Sequence, residues 1–242
     1  MYENYLQLAV FNNAVWCDTV CQSHAAPGEF QETYWLHPRQ TPTYYPNLVT
    51  LAPADRLDLQ QPALATFLKE KQPHTISVKD SFADLDLAPF GFQQLFEAQW
   101  IFRPATTGAA HVQKAGIQWK KIESEAELLA WESAWAHTDL EQNDTFRRAL
   151  LANTDICIVA AYKEDQIMAG AIGNRTTGVI GLSNIFTPEQ DTQMYWAGIL
   201  DLLTSYYPAM PIVGYEQNES LEQALQAGFT TLGPLRVWLK AE

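Results

Sequence analysis

Two cysteines and a histidine near the N-terminus are the first residues whose types and spacing could support chemistry. Cys17, Cys21 and His24 follow one another at i, i+4 and i+7, so a helix would place all three on one face. Thiolate and imidazole groups bind zinc, but zinc sites usually take four ligands from more than one element. Cysteines on a helical stripe are more often core residues. We therefore expect no metal site.

Aromatic residues between prolines form a second candidate. Trp35, Tyr44 and Tyr45 could line a ligand cleft between two halves of the chain, or they could simply build the core. Near the C-terminus, Arg236 follows a Gly-Pro turn. It could meet an anionic ligand group or pair with a surface carboxylate.

Composition and charge restrict the class of protein. The chain has 242 residues and a net charge of −13, from 28 acidic and 15 basic residues. Without a basic cluster, this charge would repel a phosphate backbone, so we expect no nucleic-acid partner. Hydrophobic residues make up 47% of the chain, which is enough for a substantial folded core.

Targeting and redox signals point to the cytoplasm. Residues 1–4 lack the features of a signal peptide, and no apolar run reaches the roughly 20 residues of a bilayer span. The three cysteines are too few and too unevenly spaced for a disulfide framework. We expect a soluble cytoplasmic protein with free thiols and no membrane association.

The helix and strand patterns that would position these residues predict an α/β protein of α+β type. Asn12 or Asn13 is expected to cap a helix that begins at Ala14, and Ser124 with Glu127 forms a capping box ahead of another helix. Several stretches show strand patterns, and the middle three predict an antiparallel meander. These stretches are 75–78, 95–102, 156–162, 166–174, 179–186, 212–215 and 235–239. Helices are predicted over 63–71, around the Trp196 stripe, and over 221–227.

An internal repeat relates the two ends of the chain. Gly91-Phe92 and Gly228-Phe229 each follow a short helix and precede a strand, and the elements upstream occur in the same order. Duplication explains this order better than coincidence does. We expect two similar halves, spanning 1–104 and 116–242, joined by a linker over 105–115.

With these elements in place, the C-terminal half resembles the GNAT superfamily of acyl-CoA-dependent N-acetyltransferases. Three segments carry the resemblance, and the ordered set is more specific than any one of them. They are Ile167-Met168-Ala169-Gly170 in the meander, the strand Leu182 to Phe186 before Thr187-Pro188-Glu189, and Ala224 to Phe229 before the last strand. The resemblance implies tandem halves, each with a mixed, mainly antiparallel sheet flanked by helices, the N-terminal one degenerate.

The resemblance also implies a site for acetyl-CoA as co-substrate. In that family the strand ending near Phe186 splays from its neighbour, and the exposed backbone holds the pantetheine arm; the following helix N-terminus receives the pyrophosphate. Asn218 roughly matches an Asn that contacts the cofactor, although it could be an ordinary helix cap. The cofactor-binding residues so implied are Ile185, Phe186, Thr187, Thr192, Gln193, Met194 and Asn218.

The phosphate loop departs from the family pattern. Asp191 stands at the basic or amide position, and Met194 and Trp196 bring bulk where glycines normally admit the ligand. A carboxylate beside a phosphate is repulsive. Alternatively, the side chain of Asp191 or Thr192 caps the helix and takes the backbone donors that a phosphate would use.

The catalytic groups are also implied by the resemblance. The position of the family's general-acid Tyr is Ala224 here, so the nearest candidate for an acid is Tyr215 at the end of the preceding strand. Glu216, beside it, is the candidate base that deprotonates the acceptor amine. Both have plain structural alternatives, a buried aromatic for Tyr215 and a surface carboxylate for Glu216.

Two functions remain open on this basis. The first is an acyl-CoA-dependent N-acetyltransferase that acts on a small-molecule or peptide amine. The second is a GNAT-fold protein without catalytic activity that binds another small ligand or a protein partner. The degenerate phosphate loop is the feature that keeps the second alternative open.

Overall fold

A computed structural model describes residues 2–59, 62–69, 75–105, 116–137 and 145–241. Its strands form one continuous sheet of eleven strands with helices packed against it, which confirms the α/β class. The sheet order is β1-β2-β3-β4-β11-β5-β10-β9-β8-β7-β6. The helices are α1 (Tyr2–Ser23), α2 (Pro62–Lys69), α3 (Glu125–Ala136), α4 (Thr192–Tyr206) and α5 (Asn218–Gln226). The strands are β1 (Glu29–Phe30), β2 (Tyr34–Leu36), β3 (Leu48–Thr50), β4 (Ile76–Asp80), β5 (Gln93–Arg103), β6 (Ile117–Lys121), β7 (Ile156–Lys163), β8 (Gln166–Thr176), β9 (Val179–Phe186), β10 (Ile212–Glu216) and β11 (Thr230–Lys240).

The two halves of the chain exchange their last strands. β5, the last strand of the N-terminal half, pairs antiparallel with β10 of the C-terminal half; β11 pairs antiparallel with β4 in return. β5 and β11 lie side by side at the centre of the sheet. Ile76 opens β4 opposite Lys240, and Ile212 opens β10 opposite Arg103, so the two exchanges are equivalent. The predicted repeat is therefore visible as an internal pseudo-symmetry.

The Gly-Phe steps mark equivalent turns in the two halves. Gly91 and Gly228 have φ angles of 84° and 90°, a left-handed conformation that favours glycine, and each follows the end of a helical segment. Phe92 and Phe229 are both 3% exposed and anchor the chain in the core just before β5 and β11. The sequence register based on these dipeptides is confirmed by the strands that follow.

The start of α1 differs from the sequence prediction. The helix begins at Tyr2, well before Asn12, and neither Asn12 nor Asn13 is a cap. Ala9 and Val10 are buried against the central strands, which extends the helix towards the N-terminus. The Asn12 amide instead bonds to Asn174 of β8, donating to its carbonyl at 3.0 Å and accepting from its side chain at 3.0 Å.

The remaining elements largely follow expectation. The Ser124 and Glu127 capping box is present at α3, and β7, β8 and β9 form the antiparallel meander. α5 begins at Asn218, three residues before the predicted start. Of the expected linker, 106–115 lie outside the described residues. Among the described helices, none is long and apolar enough to cross a bilayer.

Candidate functional site

The parallel strands β9 and β10 separate part-way along their length. They pair only at Ile180 with Ile212 and at Gly181 with Val213, yet β9 continues to Phe186 and β10 to Glu216. In the same region β9 is irregular in its pairing with β8, and Asn184 has a φ of 53°. Such an irregularity re-aims backbone groups and ends regular pairing. The splayed strands implied by the family resemblance are thus present.

A cavity of about 640 Å³ lies next to this opening, and both halves of the chain contribute to it. We call it the interlobe cavity. Its size is typical of small-molecule sites. The segment 40–47 borders it, and the exposed ring of Tyr44 stacks edge-on against Trp135 of α3, with ring centroids 5.4 Å apart. Further lining residues are Asn13, Trp16, Cys17, Lys79, Leu95, Phe96, Leu182, Ser183, Ile185, Tyr215, Glu216, Val237 and Leu239.

Glu216 ends β10 and lines the interlobe cavity. Its side chain is only partly exposed, and desolvation by the surrounding protein raises the pKa of its carboxyl to about 8. A carboxyl with this pKa is poised near neutral pH, so it can take a proton from an ammonium group more readily than an ordinary glutamate can. Desolvation of the Glu216 carboxyl argues against the alternative of a solvated surface carboxylate.

Tyr215 points to a buried lysine. Lys79 of β4 is 4% exposed, and its Nζ donates to Tyr215 Oη at 3.2 Å and to Asn13 Oδ1 at 2.8 Å. The ammonium also lies 4.3 Å from the centroid of the Tyr215 ring. Because Tyr215 Oη accepts this hydrogen bond, its own proton remains available for another acceptor.

Two hydroxyl groups in the cavity wall, those of Tyr45 and Ser183, form no hydrogen bond of good geometry within the described part of the chain. The Tyr45 hydroxyl is close to the side chains of Trp16 and Asn184, which interact with it. Burial raises the pKa of the Tyr45 phenol well above its usual value. Buried polar groups are nearly always paired, so unpaired hydroxyls beside a cavity point to a ligand or water that completes them.

The residues predicted to bind the cofactor fall into separate places. Ile185 lines the interlobe cavity, whereas the Phe186 ring packs against Trp131 at 5.4 Å and contributes to the core. Thr187 follows β9 and is partly exposed, and Asn218 opens α5 and is exposed. Thr192, Gln193 and Met194 line a second pocket, on the surface at the N-terminus of α4.

Side-chain capping does not occur at this N-terminus. Asp191 occupies the cap position with a φ of 60°, but its side chain makes no capping hydrogen bond. Thr192 Oγ1 donates to the carbonyls of Pro188 and Glu189 at 2.9 and 3.0 Å, so it does not cap either. The predicted alternative, that the side chain of Asp191 or Thr192 caps the helix, was therefore wrong. The Thr192 hydroxyl is used instead to bond the carbonyls of the loop that precedes the helix.

The surface pocket does not fit the diphosphate of acetyl-CoA. Three carboxylates line it, those of Asp191, Glu219 and Glu222, and its described lining contains no Lys, Arg or His. A helix N-terminus favours an anion, but three negative charges beside it oppose a second anionic group. The acidic pocket therefore does not fit the phosphates of the co-substrate that the family resemblance implies.

The other residues singled out in the sequence are buried in the core or paired with neighbouring protein groups. Cys21 is buried in the core, and both ring nitrogens of His24 are engaged, one at 2.9 Å from Thr145 O and one accepting from Arg147 Nε at 3.3 Å. Trp35 is fully buried. Arg236 pairs with Glu97 at 3.4 Å, which is the surface alternative named for it.

Lys79, Asn13 and Ser183 were missed by the sequence analysis. The predicted strand ended at Val78, one residue before Lys79, although β4 continues to Asp80. The adjacent charged residues Lys79 and Asp80, within a strand that is otherwise uncharged, were the sequence signal that could have identified this position. Asn13 was interpreted as a helix cap, which hid its role inside the cavity.

Comparisons with known proteins place this fold. No protein-family model matches the chain, and no curated protein does. A conserved protein of unknown function from Staphylococcus epidermidis has a similar structure, with 12% identity and a TM-score of 0.60 over 88% of this chain and 93% of its own. A putative GNAT-family acetyltransferase from Novosphingobium aromaticivorans is 10% identical, with a TM-score of 0.57 over 94% of this chain and 96% of its own. A GCN5-related N-acetyltransferase from Kribbella flavida is 11% identical, with a TM-score of 0.50 over 69% and 67%.

Two of these likenesses extend over most of this chain, and therefore over parts of both halves. The match with the Novosphingobium protein extends over nearly the whole length of both chains. The chain therefore has the fold of the GNAT acetyltransferases.

Proposed function

We propose that the protein is an N-acyltransferase that acts on a small-molecule amine in the interlobe cavity. The observation that carries the proposal is the carboxyl of Glu216, whose pKa is about 8, at the open end of the splayed strands. The GNAT fold of the chain supports the reaction class.

In this proposal Glu216 takes the proton from the ammonium of the acceptor, and the free amine then attacks the acyl carbonyl of a thioester. The amide C–N bond forms as the C–S bond breaks, and the thiolate leaves. Beyond Gly181, the edge of β9 that faces β10 no longer pairs with it, and backbone donors on that edge would polarise the carbonyl. Tyr215 is the proposed acid, because its Oη is held by Lys79 and keeps its own proton. Tyr215 Oη would give its proton to the departing thiolate, which leaves as the thiol.

Acetyl-CoA is the proposed acyl donor, but the residues of this chain support binding of its pantetheine end only. Ile185 and the neighbouring backbone of β9 support that end, whereas Asp191, Glu219 and Glu222 oppose the phosphates. We also propose a cytoplasmic location, since all three cysteines of the chain are unpaired and buried.

The acidic pocket favours a second candidate. A GNAT-fold protein that has lost acyl transfer and binds another small ligand, or a protein partner, would have no need for a phosphate site. The interlobe cavity would then be a binding site alone.

A combined titration and turnover experiment separates the two candidates. Isothermal calorimetry measures acetyl-CoA binding, and thiol release in the presence of an amine panel measures transfer. Binding with transfer that Glu216→Gln abolishes supports the enzyme. A cavity that binds amines while acetyl-CoA gives neither binding nor transfer at roughly millimolar concentration supports the second candidate.

A further inference from the structure

The ammonium of Lys79 lines the interlobe cavity and is incompletely satisfied by the protein. It has three N–H donors, of which one is directed to Asn13 Oδ1 at 2.8 Å and one to Tyr215 Oη at 3.2 Å. The first acceptor is an amide oxygen and the second a phenol hydroxyl, so neither supplies a negative charge. Because Lys79 is 4% exposed, water stabilises its charge little.

The described ionisable groups beside Lys79 supply no counter-ion. Lys79 forms no ion pair with any residue that the structure describes. Burial raises the pKa of the Cys17 thiol and raises the pKa of the Tyr45 phenol well above its usual value, so both groups stay protonated and neutral. The carboxylate of Asp18 in α1 is engaged elsewhere, because its Oδ1 accepts from Trp35 Nε1 at 3.0 Å and from a backbone N–H at 2.8 Å.

The two carboxyl groups next to Lys79 and Tyr215 in sequence lie on the other face of the sheet. Tyr215 packs with apolar residues of α1, and Lys79 Nζ contacts α1 through Asn13, so both side chains lie on the face that α1 covers, which we call the α1 face. Successive side chains of a strand point to opposite faces. Asp80 and Glu216 therefore point away from α1, and Asp80 accepts backbone N–H groups of the loop that follows β4. Neither carboxyl group balances the charge of Lys79.

A second polar group on the α1 face is buried and unsatisfied. Tyr45 Oη lies in the cavity wall and forms no hydrogen bond of good geometry within the described residues. The Tyr45 ring packs edge-on against Trp16 of α1, with ring centroids 6.2 Å apart. Its phenol is close enough to Cys17 and Tyr215 to be influenced by their charges. Because Tyr215 Oη contacts Lys79, the Tyr45 hydroxyl belongs to the same part of the cavity.

A carboxylate matches these groups. It accepts several hydrogen bonds and carries one negative charge, which balances the single charge of Lys79. A phosphate brings up to two charges, and Lys79 is the only basic residue in the described lining of the cavity. Much of the remaining wall is aromatic or aliphatic, including Trp16, Phe96 and Val237, which suits an apolar body attached to the carboxylate.

We propose that the α1 face of the interlobe cavity is a binding site for the carboxylate of an apolar ligand, with Lys79 as its counter-ion. The acceptor of the proposed reaction is then an amine that also carries a carboxylate, and this part rests on the proposed function. Binding of a carboxylate at Lys79 requires neither an amine nor an acyl donor. The site can therefore be tested by itself.

The test is calorimetric titration of the native protein without acyl donor, in a buffer free of chloride and of carboxylic acids. The probes are 3-phenylpropanoate and its uncharged analogue 3-phenylpropanamide. The carboxylate is expected to bind at least about tenfold more tightly than the amide. In Lys79→Met the affinity for the carboxylate should fall about tenfold or more, whereas the affinity for the amide changes less than about threefold. Lys163→Met removes an exposed lysine outside the described lining of the cavity, and this control should bind both probes as the native protein does.

Three results would each overturn the carboxylate site. They are equal affinities of the native protein for the two probes, an undiminished affinity for the carboxylate in Lys79→Met, and no binding of the carboxylate at roughly millimolar concentration. If Lys79→Met does not fold, Lys79→Gln takes its place, because this variant also removes the charge but keeps a hydrogen-bond donor.

Transfer assays separate the carboxylate site from the proposed function. The acceptors are n-alkylamines and ω-amino acids of matched chain length, so the two series differ only in the carboxylate. Carboxylate binding that depends on Lys79, without transfer to any amine, contradicts the proposed function and leaves the site standing. Transfer to the alkylamines as fast as to the amino acids leaves the proposed function standing and overturns the carboxylate as a feature of its acceptor.

Discussion

Lys79 Nζ donates a 3.2 Å hydrogen bond to Tyr215 Oη, and these two residues occupy equivalent positions in the repeated halves. Each is the fourth residue of its strand, in β4 and β10 respectively, and each strand pairs with the exchanged strand of the other half. The internal pseudo-symmetry thus brings its own equivalent residues into contact. Because one residue is a lysine and the other a tyrosine, the backbone of the two halves is pseudo-symmetric but the side chains at the cavity are not.

The first prediction concerns the Tyr215 hydroxyl. If Tyr215 is the acid, Tyr215→Phe lowers kcat by about a hundredfold or more, the usual contribution of such a group. Steady-state kinetics measure this, and thermal unfolding checks the fold. Tyr206→Phe is the control, because Tyr206 is 46% exposed and does not line the cavity. An unchanged kcat in Tyr215→Phe would leave Tyr215 with a positioning role only.

The second prediction concerns stability and pH at Glu216. The pKa of its carboxyl is about 8 in the folded state, against 4.5 for an ordinary glutamate. The folded state therefore holds its proton more tightly, and the stability from this group is full below pH 4.5 and is lost as pH rises to about 8. Glu216→Gln does not titrate. Its melting temperature should match that of the native protein at about pH 4.5 and exceed it at about pH 9.

The comparison variant for that experiment is Glu219→Gln, which changes an exposed glutamate nearby. It should show no such pH-dependent gain. Should Glu216→Gln be equally stabilised at both ends of the pH range, the raised pKa of Glu216 would be wrong.

The third prediction concerns the acidic pocket at α4. Combining Asp191→Asn, Glu219→Gln and Glu222→Gln removes the repulsion towards a diphosphate, so acetyl-CoA should bind about tenfold more tightly or better. Calorimetry at low ionic strength measures the change, and added salt should reduce it. The control carries the same change in net charge on exposed residues elsewhere, through Glu32→Gln, Glu164→Gln and Asp165→Asn. An equal gain in the control would attribute the effect to net charge alone.

The fourth prediction concerns the two halves, which we propose to divide at the linker over 105–115. Residues 1–105 and 116–242, produced separately, should each fail to fold, because β5 and β11 pair mainly with strands of the opposite half. Produced together, they should associate into a folded complex, as judged by circular dichroism and size-exclusion chromatography. Cooperative unfolding of either half alone would show two independent domains instead.

The fifth prediction concerns Gly91. Its φ of 84° lies in the left-handed region, and a Cβ there would come no closer than 3.8 Å to a neighbour, so any cost of substitution is conformational. Gly91→Ala should destabilise the protein by about 1 to 2 kcal/mol in chemical denaturation. Gly91→Asn should cost less, because Asn tolerates this conformation better. Equal losses for both variants would point to a different cause.

Local sequence patterns determined most of the elements. The capping box of Ser124 and Glu127, the meander of β7 to β9 and the turns at Gly91 and Gly228 depend on neighbouring residues, and all of them are found where they were predicted. The start of α1 was not predicted, because Asn12 is a good cap in isolation. Only the pairing of its amide with Asn174, 162 residues away, shows why the helix runs through it.

The sequence by itself determined that the chain is a repeated α/β protein and that Asp191 brings an acidic group to the start of α4, since periodicity, turn residues and charge are local properties. Only the tertiary structure decided that the halves exchange β5 and β11 and enclose a cavity between them. It also decided that Lys79 meets Tyr215 across 136 residues of sequence and that Glu216 is desolvated. Those features arise from long-range strand pairing and burial, which no local pattern in the chain encodes.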